Sequence, residues 1–148
     1  MKKETLLSVK DLVIEFPVGH HTKIHAVSGV SFDINVGETL GLLGESGCGK
    51  STVARAIVRL LNPAAGQICY GGEDLSRCTI RRLREIRPGI QMIFQDAAAS
   101  LNPGRKIGKT IEEPLRVLGR ADRRERMQRA CVMMEAVGLD PDRMYDRH

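Results

Sequence analysis

The chain has 148 residues, with 23 Lys and Arg against 18 Asp and Glu, for a formal charge of +5. That length suffices for one compact domain, and the mild positive excess suits a nucleotide or an anionic surface without selecting either. No apolar stretch approaches the about 20 residues of a membrane-spanning helix, and Met1 to Glu4 is too charged to open a secretory signal.

The four cysteines (Cys48, Cys69, Cys78, Cys131) lie far apart without metal-ligand spacing, as expected of a reduced interior without disulfides. Leu6 to Phe16 is apolar and β-branched and reads as a strand, with an irregularity at Lys10-Asp11. Val18 to Lys23 reads as a hairpin loop. Its His20-His21 pair has no companion ligands, so a solvated loop is the better reading than a metal site. Val30, Phe32 and Ile34 alternate with Ser31, Asp33 and Asn35, the period of a half-buried strand. Asn35-Val36-Gly37-Glu38 turns the chain into Thr39–Leu43, which reads as a buried parallel strand.

Next comes Gly44-Glu45-Ser46-Gly47-Cys48-Gly49-Lys50-Ser51, which fits G-x-x-x-x-G-K-S/T at every fixed position. A helix is predicted to follow, from Thr52 to Leu61. Its apolar side is Val53, Ala56, Ile57, Leu60 and Leu61, and Asn62-Pro63 ends it. Strand, loop and helix are the setting this pattern needs. Triphosphate presents only acceptor oxygens. Glycines let successive N–H groups turn inward as an anion nest, and a helix start adds unpaired N–H groups and a positive dipole end. Lys50 supplies a charge for the β- and γ-phosphates, Ser51 a hard oxygen for Mg²⁺, and Thr52 a further phosphate contact. A glycine-rich turn without a ligand is the bland alternative. Cys48 lies beside a lysine near a helix start, a setting that favours thiol reactivity, although a small filler residue explains it too.

Gln67 to Tyr70 reads as a short strand closed by Gly71-Gly72. Ile80, Leu83 and Ile86 mark a short amphipathic helix among arginines, whose default is a solvated face rather than a nucleic-acid surface. Pro88-Gly89 breaks the chain, and Ile90 to Gln95 reads as another strand. Beyond Asp96 the pattern is helical. Ile107 to Leu118 contains Pro114 and is two pieces or one kinked helix. Asp122 and Glu125 form a cap pair. The helix they start carries Met127, Ala130, Cys131, Met134 and Val137 on one face and stops at Gly138. Asp140-Pro141 opens one more short turn.

Together these pieces resemble the ATP-binding subunit of an ATP-binding cassette (ABC) transporter. The resemblance is carried by Val27-Ser28-Gly29-Val30-Ser31-Phe32, Gly37-Glu38-Thr39, the phosphate loop (Walker A), Gly66-Gln67-Ile68 and Gly72-Glu73-Asp74-Leu75. Ile93-Phe94-Gln95-Asp96 resembles the family's Q-loop. Ser100-Leu101-Asn102-Pro103 and Glu112-Glu113-Pro114-Leu115 narrow the likeness to the oligopeptide, dipeptide and nickel import branch. The resemblance implies a phosphate-loop α/β fold: an N-terminal antiparallel β subdomain, the first part of a parallel-sheet nucleotide core, and a helical subdomain. The first two would span about 1–96 and the last about 97–148. It implies ATP and Mg²⁺ held by Gly44, Glu45, Ser46, Gly47, Cys48, Gly49, Lys50, Ser51 and Thr52. Gln95 would reach Mg²⁺ and the attacking water, and Phe16 would stack on adenine. His25 is the alternative stacking residue, and Phe16 as a core residue is a further one. The implied partners are transmembrane permease subunits and a second ATP-binding subunit at the cytoplasmic face of the membrane, with no nucleic acid.

Ala97 stands where this branch usually has proline. The L-S-G-G-Q signature, the Asp-Glu pair ending a later strand and the switch histidine are not among these residues, so the chain resembles the front part of a longer domain. Nucleotide binding without turnover, and poor solubility from an exposed apolar edge, are the expectations for these residues alone. The competing readings are a truncated remnant or docking module without activity, and a different phosphate-loop enzyme.

Overall fold

The computed structural model describes residues 4–19, 22–96, 100–119 and 121–148. They form two compact units, Met1–Met92 and Ile93–His148. The His20-His21 pair and Ala97 lie outside the described residues.

The first unit is built on an antiparallel sheet in the order β2-β1-β3-β4, with β1 Thr5–Val18, β2 Thr22–Asn35, β3 Ala65–Tyr70 and β4 Glu73–Asp74. Strand β1 supplies Leu7, Val9, Leu12 and Ile14 to the core. Odd positions give way to even ones, so one extra residue must be absorbed between Val9 and Leu12 or the second pair would face the other side. The expected irregularity at Lys10-Asp11 does this as a bulge, with Asp11 at φ 47°. The Asp11 N–H donates to Ser31 Oγ at 2.8 Å, and the Ser31 hydroxyl donates to Asp11 Oδ1 at 3.2 Å. Gly66 passes against the bulge, where a Cβ would collide with the Asp11 carbonyl oxygen. Each large apolar side chain kept on the core face contributes about 1.5–3 kcal/mol.

Helix α1, Lys50–Ile57, covers this face with buried Val53 and Ala56. It ends a turn earlier than the apolar pattern suggests. Val58 is the C-cap, Arg59 turns to φ 55° and donates to Asn62 Oδ1 at 2.9 Å, and Leu60 is exposed rather than buried. Helix α2, Ile80–Ile86, is capped by Thr79 and buries Leu83, while Ile80 is 72% exposed.

Two predicted strands do not form. Thr39–Leu43 and Ile90–Gln95 pair with no strand, and Leu43 and Ile93 are each 94% exposed. A buried parallel strand takes its hydrogen bonds and its dry faces from neighbours, and no described strand flanks either segment. The parallel part of the nucleotide core is therefore present in sequence but not as a ladder.

The second unit contains α3 Ile107–Leu118, α4 Arg123–Ala136 and α5 Pro141–Met144. Helix α3 runs unbroken through Pro114 and stops at Gly119, φ 63°. Asp122 caps α4, accepting from the Glu125 N–H at 2.9 Å, and Gly138 ends it with Leu139 N–H donating to the Met134 carbonyl at 2.9 Å. Ala130 and Met134 are buried as the pattern predicts. Met127 and Val137 are exposed, because α4 packs through a narrower stripe than the five-residue face. The start of α3 is closed by the C-terminal segment: Ile107 N–H donates to the Arg147 carbonyl at 2.8 Å, and Gly108 N–H to the Tyr145 carbonyl at 2.9 Å.

Candidate functional site

The loop Gly44–Ser51 joins the unpaired segment to α1. Gly47 and Gly49 hold φ values of 80° and 97°, the region where only glycine is unstrained. Gly49 is the N-cap of α1 and lies on β2: a Cβ there would be 2.5 Å from the Ala26 carbonyl oxygen and 3.4 Å from Val27 Cγ2. The second half of the loop is thus seated on the sheet.

Lys50 folds back across the loop. Its Nζ donates to the carbonyl oxygens of Gly44 at 2.7 Å and Glu45 at 2.6 Å, and lies 3.5 Å from Cys48 Sγ. The Cys48 N–H closes the turn onto the Glu45 carbonyl at 3.4 Å. The N–H groups of Lys50, Ser51 and Thr52 have no acceptor among the described residues, and the Ser51 hydroxyl is exposed without a hydrogen-bond partner. Free amides, an ammonium and a helix start lie together in one short loop, which is the electrostatic requirement of a polyanion site.

Phe16 is 38% exposed and pairs with Ile24 at the hairpin end. Alternation puts it on the face of Ile14, whose partner Val27 borders Gly49, so ring and loop share one side of the sheet. His25 pairs with Glu15 on the opposite face, with Nδ1 3.6 Å from Glu15 Oε1. A hydrogen bond from Lys23 Nζ at 2.7 Å outweighs partial desolvation and holds the Glu15 carboxyl below its usual value. The two stacking candidates are thereby separated. Gln95 is exposed in the second unit, beside Asp96, whose carbonyl accepts from the Ser100 hydroxyl at 2.8 Å.

The second unit holds a buried polar cluster to which the sequence pattern gave no role. Glu112, 4% exposed, accepts from Lys109 Nζ at 2.8 Å and from the Tyr145 hydroxyl, and lies 3.7 Å from Arg126 Nε. Burial pushes the Glu112 pKa up, but the Lys109 and Tyr145 hydrogen bonds and the Arg126 charge outweigh it and leave it below the ordinary value. Burial and the Glu112 carboxylate push the Tyr145 phenol up. The one local signal was Gly108 four residues before a charged residue on the inward side of α3. Gly108 is the gap that admits the Tyr145 ring.

A glycine-shaped loop closed by a lysine, opening a helix laid on a sheet, defines a phosphate-loop nucleotide-binding fold. The ABC transporter family model matches residues 27–147, and the chain belongs to that family. It is 40% identical over 150 residues to the di/tripeptide transport ATP-binding protein DppF of Pseudomonas aeruginosa, covering 98% of this chain and 46% of that one. It is 41% identical over 146 residues to the oligopeptide transport ATP-binding protein AppF of Bacillus subtilis, covering 94% and 44%. The glutathione import ATP-binding protein GsiA of Escherichia coli O157:H7 is 42% identical over 148 residues, covering 96% and 24%. The chain therefore spans about half the length of the first two relatives and about a quarter of the third. Among solved structures, a dimeric bacterial ABC transporter cassette superposes with a TM-score of 0.79 at 25% identity, over 96% of this chain and 61% of that one. The resemblance to the peptide-import branch and the ABC-type fold class are thus both supported.

Proposed function

We propose that the chain is the nucleotide-gripping part of an ATP-binding subunit that couples ATP to the import of peptides or a related solute. The observation that carries this is the closed loop: Lys50 bridging the Gly44 and Glu45 carbonyls, beside three unpaired amides at the start of α1. In this reading Gly44, Glu45, Ser46, Gly47, Cys48 and Gly49 wrap the phosphate chain with backbone N–H groups. Lys50 meets the β- and γ-phosphates, Thr52 adds a contact, and Phe16 stacks on adenine. The unpartnered Ser51 hydroxyl is a hard oxygen of the kind Mg²⁺ takes, so the residues present fit that ion. Ser51 would hold it, and it would neutralise charge on the phosphates. Gln95 would orient water.

Within residues 1–148 no Asp-Glu pair closes an apolar segment. Binding without appreciable turnover is the activity assigned to these residues alone. The partners are permease subunits and a second ATP-binding subunit, and the place of work is the cytoplasmic face of a membrane. No helix among the described residues is long and apolar enough to cross a membrane.

Titration calorimetry with Mg·ATP tests the reading. The unaltered chain should bind, and Lys50→Ala should weaken binding about tenfold to a hundredfold, the span of a lost charged hydrogen bond. Equal affinity in the two proteins would refute it.

A further inference from the structure

Helix α2 carries a cationic face that nucleotide binding does not use. Five arginines lie between Arg77 and Arg87. One of them, Arg82, is consumed internally: it donates to Glu73 through Nε at 2.8 Å and Nη2 at 2.7 Å, and to Glu85 through Nη1 at 2.7 Å. That single guanidinium engages both nearby glutamates and offsets one of their two charges. Arg77 lies 3.6 Å from Asp74 and is otherwise in solvent. Arg81, Arg84 and Arg87 are exposed and have no side-chain partner among the described residues. Helical spacing sets Leu83 and Ile86 toward the core, places Arg84 and the C-cap Arg87 on either side of Ile80, with Arg87 on the flank next to Leu83, and puts Arg81 further round beside Glu85. Three unpaired cations therefore lie near a large aliphatic side chain that is 72% exposed, two of them flanking it.

We propose that this face docks on the anionic phospholipid headgroups of a membrane surface. Cations around one aliphatic residue match an interface that is negative outside and apolar just beneath. A nucleic-acid surface is the weaker match, because residues 75–90 contain no aromatic side chain on which a base would stack. Each arginine near such a surface is worth about fivefold in binding, so the three together supply about a hundredfold. The contact is weak and screened by salt, suited to orienting a subunit held by other partners. It is independent of the nucleotide site, so its failure leaves that assignment untouched.

The test is flotation of the full chain with phosphatidylcholine vesicles, with and without phosphatidylglycerol. Binding should require phosphatidylglycerol and fall as salt rises. The triple variant Arg81→Gln, Arg84→Gln, Arg87→Gln should lose about a hundredfold, and Ile80→Ser should weaken binding with the charge unchanged. All four positions are exposed, so circular dichroism should show the fold intact. The charge-matched control Arg123→Gln, Arg124→Gln, Arg143→Gln should keep its binding. Equal loss in the control, equal flotation with neutral vesicles, or single-stranded DNA displacing the chain from vesicles would each overturn the proposal.

Discussion

Alanine at Gly49 and alanine at Gly47 should differ in a way only the seating of the loop explains. Both residues have left-handed φ values, 97° and 80°, so a Cβ costs about 1–2 kcal/mol at either one. The surroundings differ. Nothing lies within 4 Å of a Cβ at Gly47, whereas at Gly49 it would be 2.5 Å from the Ala26 carbonyl oxygen. Ordinary carbon–oxygen contacts begin at about 3.3 Å, so helix and strand must part by about 0.8 Å. Strand β2 is hydrogen-bonded along β1 and α1 is pinned by Val53 and Ala56, so neither yields freely. Overpacking of this kind costs about 1–3 kcal/mol. Gly49→Ala should therefore melt at least about 4 °C below Gly47→Ala, by thermal circular dichroism without nucleotide. Equal melting temperatures would show that the loop is not seated on Ala26. Nucleotide affinity is not the discriminating readout, since both glycines belong to the loop proposed to wrap phosphate.

The pKa of Glu112 in the folded chain lies below its ordinary 4.5, so its contribution is complete above that value and is lost as pH falls through the folded value. Denaturant unfolding should show Glu112→Gln destabilised by about 2 kcal/mol at neutral pH, with the gap closing in acid; this is below the range for a fully buried pair because Lys109 keeps contact with water. A gap that persists unchanged well below pH 4 would count against the cluster. Phe16→Ala should lower Mg·ATP affinity about fivefold or more, the lower range for one stacked base, while His25→Ala leaves it unchanged. The reverse result by calorimetry would move adenine to the other face of the sheet.

The sequence was most legible where a feature is set by neighbours in the chain. The Lys10-Asp11 irregularity, the Asp122 cap and the Gly138 stop all appear where the residues put them. The left-handed turns at Gly47 and Gly49 belong with these, since they follow from the glycines themselves. Thr39–Leu43 reads as a strand by composition, yet pairing depends on partners far away in sequence, and the described sheet offers none. Leu60 belongs to an apolar face that continues only if the helix does, and Arg59 at φ 55° ends it first. Glu112 was visible only as part of a motif. Its partner Tyr145 is 33 residues away, and no periodicity predicts a carboxylate buried under a phenol. Of the two stacking candidates, strand parity alone separates Phe16 from His25, and that required knowing the register.

The two ends of the phosphate loop are held by different forces. The Gly49 end is fixed by α1 on the sheet. The Gly44 end follows Leu43, which is almost wholly exposed, and is tied to the other end by Lys50. An ammonium has three donors, and two are spent on the Gly44 and Glu45 carbonyls. The third has only Cys48 Sγ, at 3.5 Å, a weak acceptor that a phosphate oxygen displaces readily. Lys50 can thus keep the loop closed and meet phosphate at once, so binding need not first break the staple. Anything that pairs with Thr39–Leu43 holds the free end in place and raises the population of the competent loop. Nucleotide affinity then rises in proportion to that population. On the proposed function, sheet pairing beside the loop and nucleotide binding within it would be coupled through one short, otherwise unanchored segment.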